Sequence, residues 1–305
     1  MQAETAFLGA DFVGRLALGT AQFGLDYGIN NTAGRPASAT VEEILTTAQA
    51  AGLTLLDTAA AYGDSEARLG QWLAGRGDAR PASFRIVTKL AAGPGPRVRA
   101  QLRESLARLR QPAVYGVLYH NFGAFRQQSG AWAALQAARA EGLTQRIGLS
   151  LYHPQEAAWL LDTGLDADLV QVPFNVLDQR FGPLLPALQA RGVEVHVRSA
   201  FLQGLLLRPA AALPDFFKPL ESKIIELHRL AQAADLPLAA LLLHFAAFAP
   251  GVDRVVVGVD SAANLRANLA AADYVAPAKA LRPALRALAE TTDEFILPYT
   301  WPPRS

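Results

Sequence analysis

Short β-rich runs alternate with helical stretches along nearly the whole chain, with turn residues between them. Strands are predicted at 15–18, 53–57, 84–90, 115–119, 145–149, 169–172, 193–197 and 254–257. Helices are predicted at 41–51, 65–73, 97–109, 131–141, 154–163, 183–191, 220–234 and 262–272. Such alternation is the signature of a parallel sheet wrapped by helices. Several boundaries carry their own signals. Thr40 followed by Glu43 has capping-box spacing, and Gly52, Gly142, Gly164 and Gly192 stand where helices should end. An additional helix at 238–248 and a tail after Pro277 are extras on this plan.

Eight β/α pairs fit either a closed (β/α)8 TIM barrel or an open, doubly wound sheet. An open dinucleotide-binding sheet should carry G-x-G-x-x-G between its first strand and helix, whereas Gly19-Thr-Ala-Gln-Phe-Gly24 stands there. Gly75-Arg-Gly77 and Gly93-Pro-Gly95 lack the third glycine. A closed barrel spanning 1–305 as a single domain is therefore expected, with its chemistry at the carboxyl ends of the strands. The stretch 208–218, with Pro209, Pro214 and nearby Pro219, is expected to be a long loop after the seventh strand and a candidate lid.

Bulk properties narrow the partners. The chain has 305 residues, about half apolar, enough for a large core. Its 28 basic and 27 acidic residues leave a net charge of +1, without the footprint that nucleic acid or an anionic membrane requires. Zero cysteines exclude disulfides, thiolate metal sites and cysteine catalysis. Residues 1–14 carry Glu4 and Asp11 but no basic residue ahead of an apolar run, so no secretory signal is expected. The most apolar stretch, 238–249, lies between Pro237 and Pro250 and is too short to span a bilayer. A cytoplasmic protein acting on small molecules is the expectation.

The ionisable residues fall at one set of strand ends. Asp57 ends strand two, Lys89 ends strand three, His120 follows strand four, and Tyr62 lies five residues beyond Asp57. Singly, each also has an ordinary structural explanation, such as a cap, a rim histidine or a snorkelling lysine. Together they would converge on one pocket in a closed barrel. Lys89 stands out further, since the chain holds 24 arginines and four lysines. An ammonium is a compact charge that shifts its pKa readily when buried. Paired with a carboxylate it stays charged, and it is then expected to lower the pKa of a neighbouring phenol from about 10. Tyr62 would become a usable acid for a carbonyl oxygen, and a neutral His120 would hold that oxygen in line.

The run Leu55-Leu-Asp-Thr-Ala-Ala-Ala-Tyr-Gly-Asp-Ser-Glu66 resembles the aldo-keto reductase signature, while Val87-Thr-Lys-Leu90 and Leu118-Tyr-His120 are similar to that family's lysine and histidine strands. The resemblance runs in order from about Leu16 to Asn268. It implies reversible hydride transfer between a nicotinamide cofactor, NADP(H) or NAD(H), and an aldehyde or ketone. Tyr62 would be general acid and base, Lys89 and Asp57 would tune it, and His120 would orient the carbonyl. No metal is implied, and none of the five histidines forms a ligand-spaced pair.

The same resemblance implies a set of cofactor residues. Gly19 and Thr20 would lie beneath the nicotinamide, with Asp57 beside them. Ser150 and Gln171 would hold its carboxamide, and the loop from Ser199 through Phe201 to Gly204 would wrap the pyrophosphate. Gly258, Asp260, Ser261, Asn264 and Asn268 would form the adenosine side, where a helix amino terminus offers free N–H groups.

Three positions depart from the family pattern. Leu151-Tyr152 replaces the usual Asn after Ser150, and Arg198 stands where an aromatic usually stacks on the nicotinamide, a place its planar guanidinium could take. Asp260 stands where NADP(H)-preferring members usually carry a basic residue; it would repel a 2′-phosphate and accept from a 2′-hydroxyl. Family habit favours NADP(H), local electrostatics favour NAD(H), and Arg266 is a candidate phosphate partner.

Phe23, Tyr27, Trp72, Phe122, Tyr152 and Phe201 are expected near the rim as an aromatic-lined substrate pocket. Asp26, Asn30 and Asn31 suggest a sugar-like carbonyl. Two rivals remain at this stage: a barrel retaining the cofactor as a sensor or regulatory subunit, and a lyase or isomerase in which Lys89 forms a Schiff base.

Overall fold

The computed structural model describes residues 11–31, 34–75, 84–91 and 93–302. Glu4, Gly77 of one glycine pair and residues 32–33 of the 24–34 segment lie outside them. Eight parallel strands close into a barrel in sequence order. They are β1 (Leu16–Gly19), β2 (Leu55–Asp57), β3 (Arg85–Leu90), β4 (Val114–Tyr119), β5 (Thr144–Ser150), β6 (Leu169–Pro173), β7 (Glu194–Arg198) and β8 (Arg254–Gly258). The ring is sealed by β8 pairing with β1, where Gly19 faces Gly258. The expected TIM barrel is the observed fold.

Outside the barrel run α1 (Ser38–Ala50), α2 (Ser65–Ala74), α3 (Gly95–Leu109), α4 (Ala131–Ala140), α5 (Pro154–Thr163), α6 (Leu185–Ala190), α7 (Glu221–Ala233), α8 (Leu238–Ala247) and α9 (Ala262–Ala270). Their inward faces bury Leu, Ile and Val against the strands in one continuous core. Apolar α8 is explained by that burial, since every residue from Ala240 to Ala247 is covered. Among the described residues no single helix is long and apolar enough to cross a membrane.

Gly52, Gly142, Gly164 and Gly192 all take positive φ, between 66° and 79°, just past helix ends, where a Cβ would be strained. The capping box at Thr40 is not formed. Extended Ala37 caps α1 three residues earlier, after Pro36, so Thr40 is already inside the helix and its hydroxyl has no free first-turn N–H to take. The 208–218 segment is not an open loop either. It winds into short 3₁₀ turns at Ala210–Ala212 and Asp215–Leu220.

Inside the barrel, Ala17, Leu55, Val87, Leu118 and Leu169 form a separate apolar plug. Its small members and Gly148 are dictated by space: a Cβ at Gly148 would lie 1.6 Å from the Leu169 carbonyl oxygen. Below the plug Glu194 accepts from Tyr115 and pairs with His196, whose Nε2 is 2.9 Å away. Above it, at the carboxyl ends of the strands, the inward positions turn polar.

Candidate active site

At that rim β2 presents Asp57 and β3 presents Lys89, with their side chains 3% and 1% exposed. Lys89 Nζ donates to Asp57 Oδ1 at 2.5 Å, to the Thr58 carbonyl at 3.1 Å and to the Tyr62 hydroxyl at 3.5 Å. The other carboxylate oxygen of Asp57 accepts from Gln171 Nε2 at 2.7 Å, across the barrel from β6. His120 sits on the turn after β4, its backbone N–H bonded to Leu90, and its ring meets Tyr62 edge-on with centroids 5.8 Å apart. All four predicted groups are thus gathered at one point.

The loop carrying Tyr62 is fixed by close backbone packing. The backbone N–H of Ala60 bonds to the Lys89 carbonyl at 3.0 Å and that of Thr58 to Val87 at 2.9 Å. Ser65 Oγ donates to the Thr20 hydroxyl at 2.8 Å, and Thr20 Oγ1 donates to the Asp57 carbonyl at 2.9 Å. Gly24 packs so tightly that a Cβ there would sit 1.8 Å from the Tyr62 carbonyl oxygen, and facing Gly63 takes φ 54°. The Gly19–Gly24 turn, which lacks the phosphate fingerprint, instead anchors the tyrosine loop.

Electrostatics differ from the sequence expectation in one respect. Burial pushes the Tyr62 phenol well above its ordinary value, Asp57 adds to the rise, and the opposing positive charge is Arg198. The predicted lowering by Lys89 is not found, because that ammonium is cancelled by Asp57 and is itself lowered by burial. Tyr62 is therefore a neutral phenol. Burial, then Lys89 and Arg198, pull His120 down to about 4, which leaves a neutral imidazole at physiological pH.

A cleft of about 330 Å³ leads from Asp57 and Tyr62 across the closed seam of the barrel. Its floor includes Gly19, Thr20 and Gly258, and Gln171 and Arg198 line the end nearest the tetrad. Ser199, Phe201 and Gly204 form one wall, with Asp260, Asn264 and Asn268 at the far end. The wall is conformationally unusual: Ser199, Leu202 and Gln203 take φ of 64°, 47° and 55°, a region L-residues rarely adopt and one that clusters at ligand clamps. Ser261 caps α9 by accepting from the Asn264 N–H at 3.2 Å.

Several predicted residues lie elsewhere. Ser150 is buried and does not line the cleft, whereas Gln171 does line it and gives its Nε2 to Asp57. Phe23 is fully buried, because the helical turn Ala21–Gly24 folds its ring into the core. Phe122 packs edge-on against Trp159 at 5.3 Å, and Trp72 packs against Phe84, both outside the cleft. Tyr27 does line the mouth. Tyr152 lies under the Arg198 guanidinium, 4.2 Å from its ring centroid, and meets Tyr299 of the carboxyl-terminal tail at 5.3 Å.

The amides proposed for sugar hydroxyls are already engaged. Asn30 Nδ2 donates to the Gly204 carbonyl at 2.7 Å and its oxygen accepts from Arg208; Asn31 Nδ2 donates to the Gly34 carbonyl at 2.9 Å. The Asn30 bonds strap the β1–α1 connection to the loop after β7 over one side of the mouth. Arg266 pairs with Glu43 at 3.4 Å.

The sequence offered no sign of Gln22. Its side chain lies against Gly258, where any Cβ would come within 2.4 Å of it, and its Oε1 is buried without a hydrogen-bond partner beside the cleft. Among the described residues no group of carboxylates or imidazoles could hold a metal ion.

The model of the aldo/keto reductase family matches residues 15–282. An aldo-keto reductase of Mycolicibacterium vanbaalenii is 37% identical over 125 residues, 40% of this chain, and the match spans 44% of that relative's length. The fold is shared with a solved aldo-keto reductase of Bacillus halodurans in its holo form, at TM-score 0.74 and 21% identity over 90% of this chain and 92% of that one. Its apo form matches at TM-score 0.66 with the same identity and coverage.

Proposed function

Because the chain belongs to the aldo/keto reductase family, we propose that it reduces an aldehyde or ketone reversibly, with Tyr62 as general acid and a nicotinamide held in the cleft. The observation that carries this is the convergence of Asp57, Lys89, Tyr62 and His120 at one end of a cleft lined by Gly19 and Gly258.

The cleft residues fit such a cofactor. Gly19 and Gly258 line the floor, the missing Cβ of Gly258 makes room for the Gln22 side chain, whose orphaned Oε1 offers an acceptor, and the strained Ser199–Gly204 wall and the start of α9 flank the cleft's length. When bound, a nicotinamide supplies the hydride for the carbonyl carbon. Tyr62 donates its proton to the carbonyl oxygen as negative charge grows there. Neutral His120 supplies one N–H to the same oxygen, and Lys89, held by Asp57, fixes the phenol hydroxyl in position. In oxidation the steps reverse and Tyr62 takes the alcohol proton.

Asp260, bonded to Asn264, puts negative charge at the far end, while Arg266 is occupied by Glu43. Together these favour NAD(H) over NADP(H). A Schiff-base role for Lys89 draws no support, since its amine is 1% exposed, has three partners and does not line the cleft.

Tyr62→Phe tests the assignment. The variant should bind NADH and NADPH like the parent and lose about 10² to 10⁴ in turnover of a carbonyl panel. Unchanged turnover would remove Tyr62 from the acid role.

A further inference from the structure

The charges at the rim do not balance. Lys89 and Asp57 cancel within a buried pair, and other buried carboxylates have their cation: Glu66 pairs with Arg108 and Asp178 with Arg180. Arg198 ends β7 inside the cleft, and among the described residues no carboxylate lies within 4.0 Å of it. Among the described residues its hydrogen bonds are long and neutral, Nη1 to Ser199 Oγ at 3.4 Å and Nη2 to the Leu151 carbonyl at 3.3 Å. With five N–H donors on a guanidinium, most remain to be met.

The group is nonetheless held in place. Its plane rests on the Tyr152 ring at 4.2 Å, and Tyr152 is braced from outside by Tyr299. Its charge is felt by Tyr62, Lys89 and His120 alike, which sets it beside the reacting centre. A positioned, half-buried fork of donors without a counter-ion is the arrangement that recognises a planar or tetrahedral oxyanion.

We propose that Arg198 is a specificity-determining residue that receives an anionic group, a carboxylate or a phosphate, carried by the carbonyl substrate a few atoms from its carbonyl. This rests on the reductase assignment and names the substrate class for it. Tyr152 acts as a positioning residue that keeps the fork aimed.

The test compares, in one protein with its preferred nicotinamide cofactor, three small aldehydes: succinic semialdehyde, glyceraldehyde 3-phosphate and neutral glyceraldehyde. For the parent, kcat/KM for one of the anionic aldehydes should exceed that for glyceraldehyde roughly a hundredfold, mostly through KM. Which anion wins separates a carboxylate from a phosphate. Arg198→Met should bring that ratio close to one and Arg198→Lys should restore part of it; taking ratios within each variant removes any general loss. A parent that reduces glyceraldehyde as well as both anions, or an Arg198→Met that keeps the ratio and only weakens cofactor binding in a fluorescence titration, would overturn the assignment to Arg198. Absence of turnover with every carbonyl would overturn the reductase assignment and this one with it.

Discussion

Replacing Lys89 by Met asks how much of the fold is tied to the reaction centre. The stem is refilled by a side chain of similar length, so the loss is chiefly electrostatic. Three bonds disappear, and the Asp57 carboxylate, 3% exposed, is left with Gln171 as its side-chain donor. Stranding one member of a buried pair typically costs about 3–5 kcal/mol. The surviving Gln171 bond at 2.7 Å argues for the lower end, about 3 kcal/mol. Against a total stability of about 5–15 kcal/mol the variant should fold but melt early. Asp57→Asn in the Lys89→Met background removes the stranded charge and should recover about 2 kcal/mol, a coupling well beyond what independent sites show. Urea unfolding followed by tryptophan fluorescence gives both numbers. If Lys89→Met costs under about 1 kcal/mol, or the double variant is as unstable as the two losses added, Lys89 and Asp57 do not form a buried, desolvated ion pair.

Gly24→Ala would force a methyl within 1.8 Å of the Tyr62 carbonyl oxygen, so it should cost about 2 kcal/mol and depress turnover out of proportion, which melting curves and kcat together reveal. His120 holds its proton only below about pH 4 when folded, against about 6.5 when unfolded, so its contribution to stability is present above pH 6.5 and fades as pH falls toward 4; reduction should show no His120-dependent limb above about pH 5, and His120→Asn should flatten the stability slope. NADH should bind more tightly than NADPH, and Asp260→Ala should narrow the gap roughly fivefold in a fluorescence titration, whereas a parent preferring NADPH would refute the role given to that carboxylate.

The barrel and its tetrad were legible because both depend on local order along the chain. Each strand ends within two residues of its polar cargo, and parallel closure then brings Asp57, Lys89 and His120 to one rim whatever the loops do. Contacts set by distance across the ring were not legible. Gln171 meets Asp57 from 114 residues away, and only the barrel's diameter decides that its amide reaches the carboxylate. Phe23 and Phe122 stood in rim segments, yet whether an aromatic faces cleft or core turns on the rotation of one short helical turn.

The direction of the Tyr62 shift was illegible for a deeper reason. Residue types announce which charges are present, but burial decides which of them survives. Here Lys89 is spent on Asp57, so the ammonium that the chain places beside the phenol does little to acidify it, and the opposing charge comes from β7 instead. A phenol raised by burial keeps its proton until negative charge arrives on the oxygen it faces. Under the proposed acid role, acid strength at this site would be conditional on the substrate: a carbonyl docked against Tyr62 and His120 would supply that charge as it is reduced, while an empty or wrongly filled cleft would leave the proton where it is.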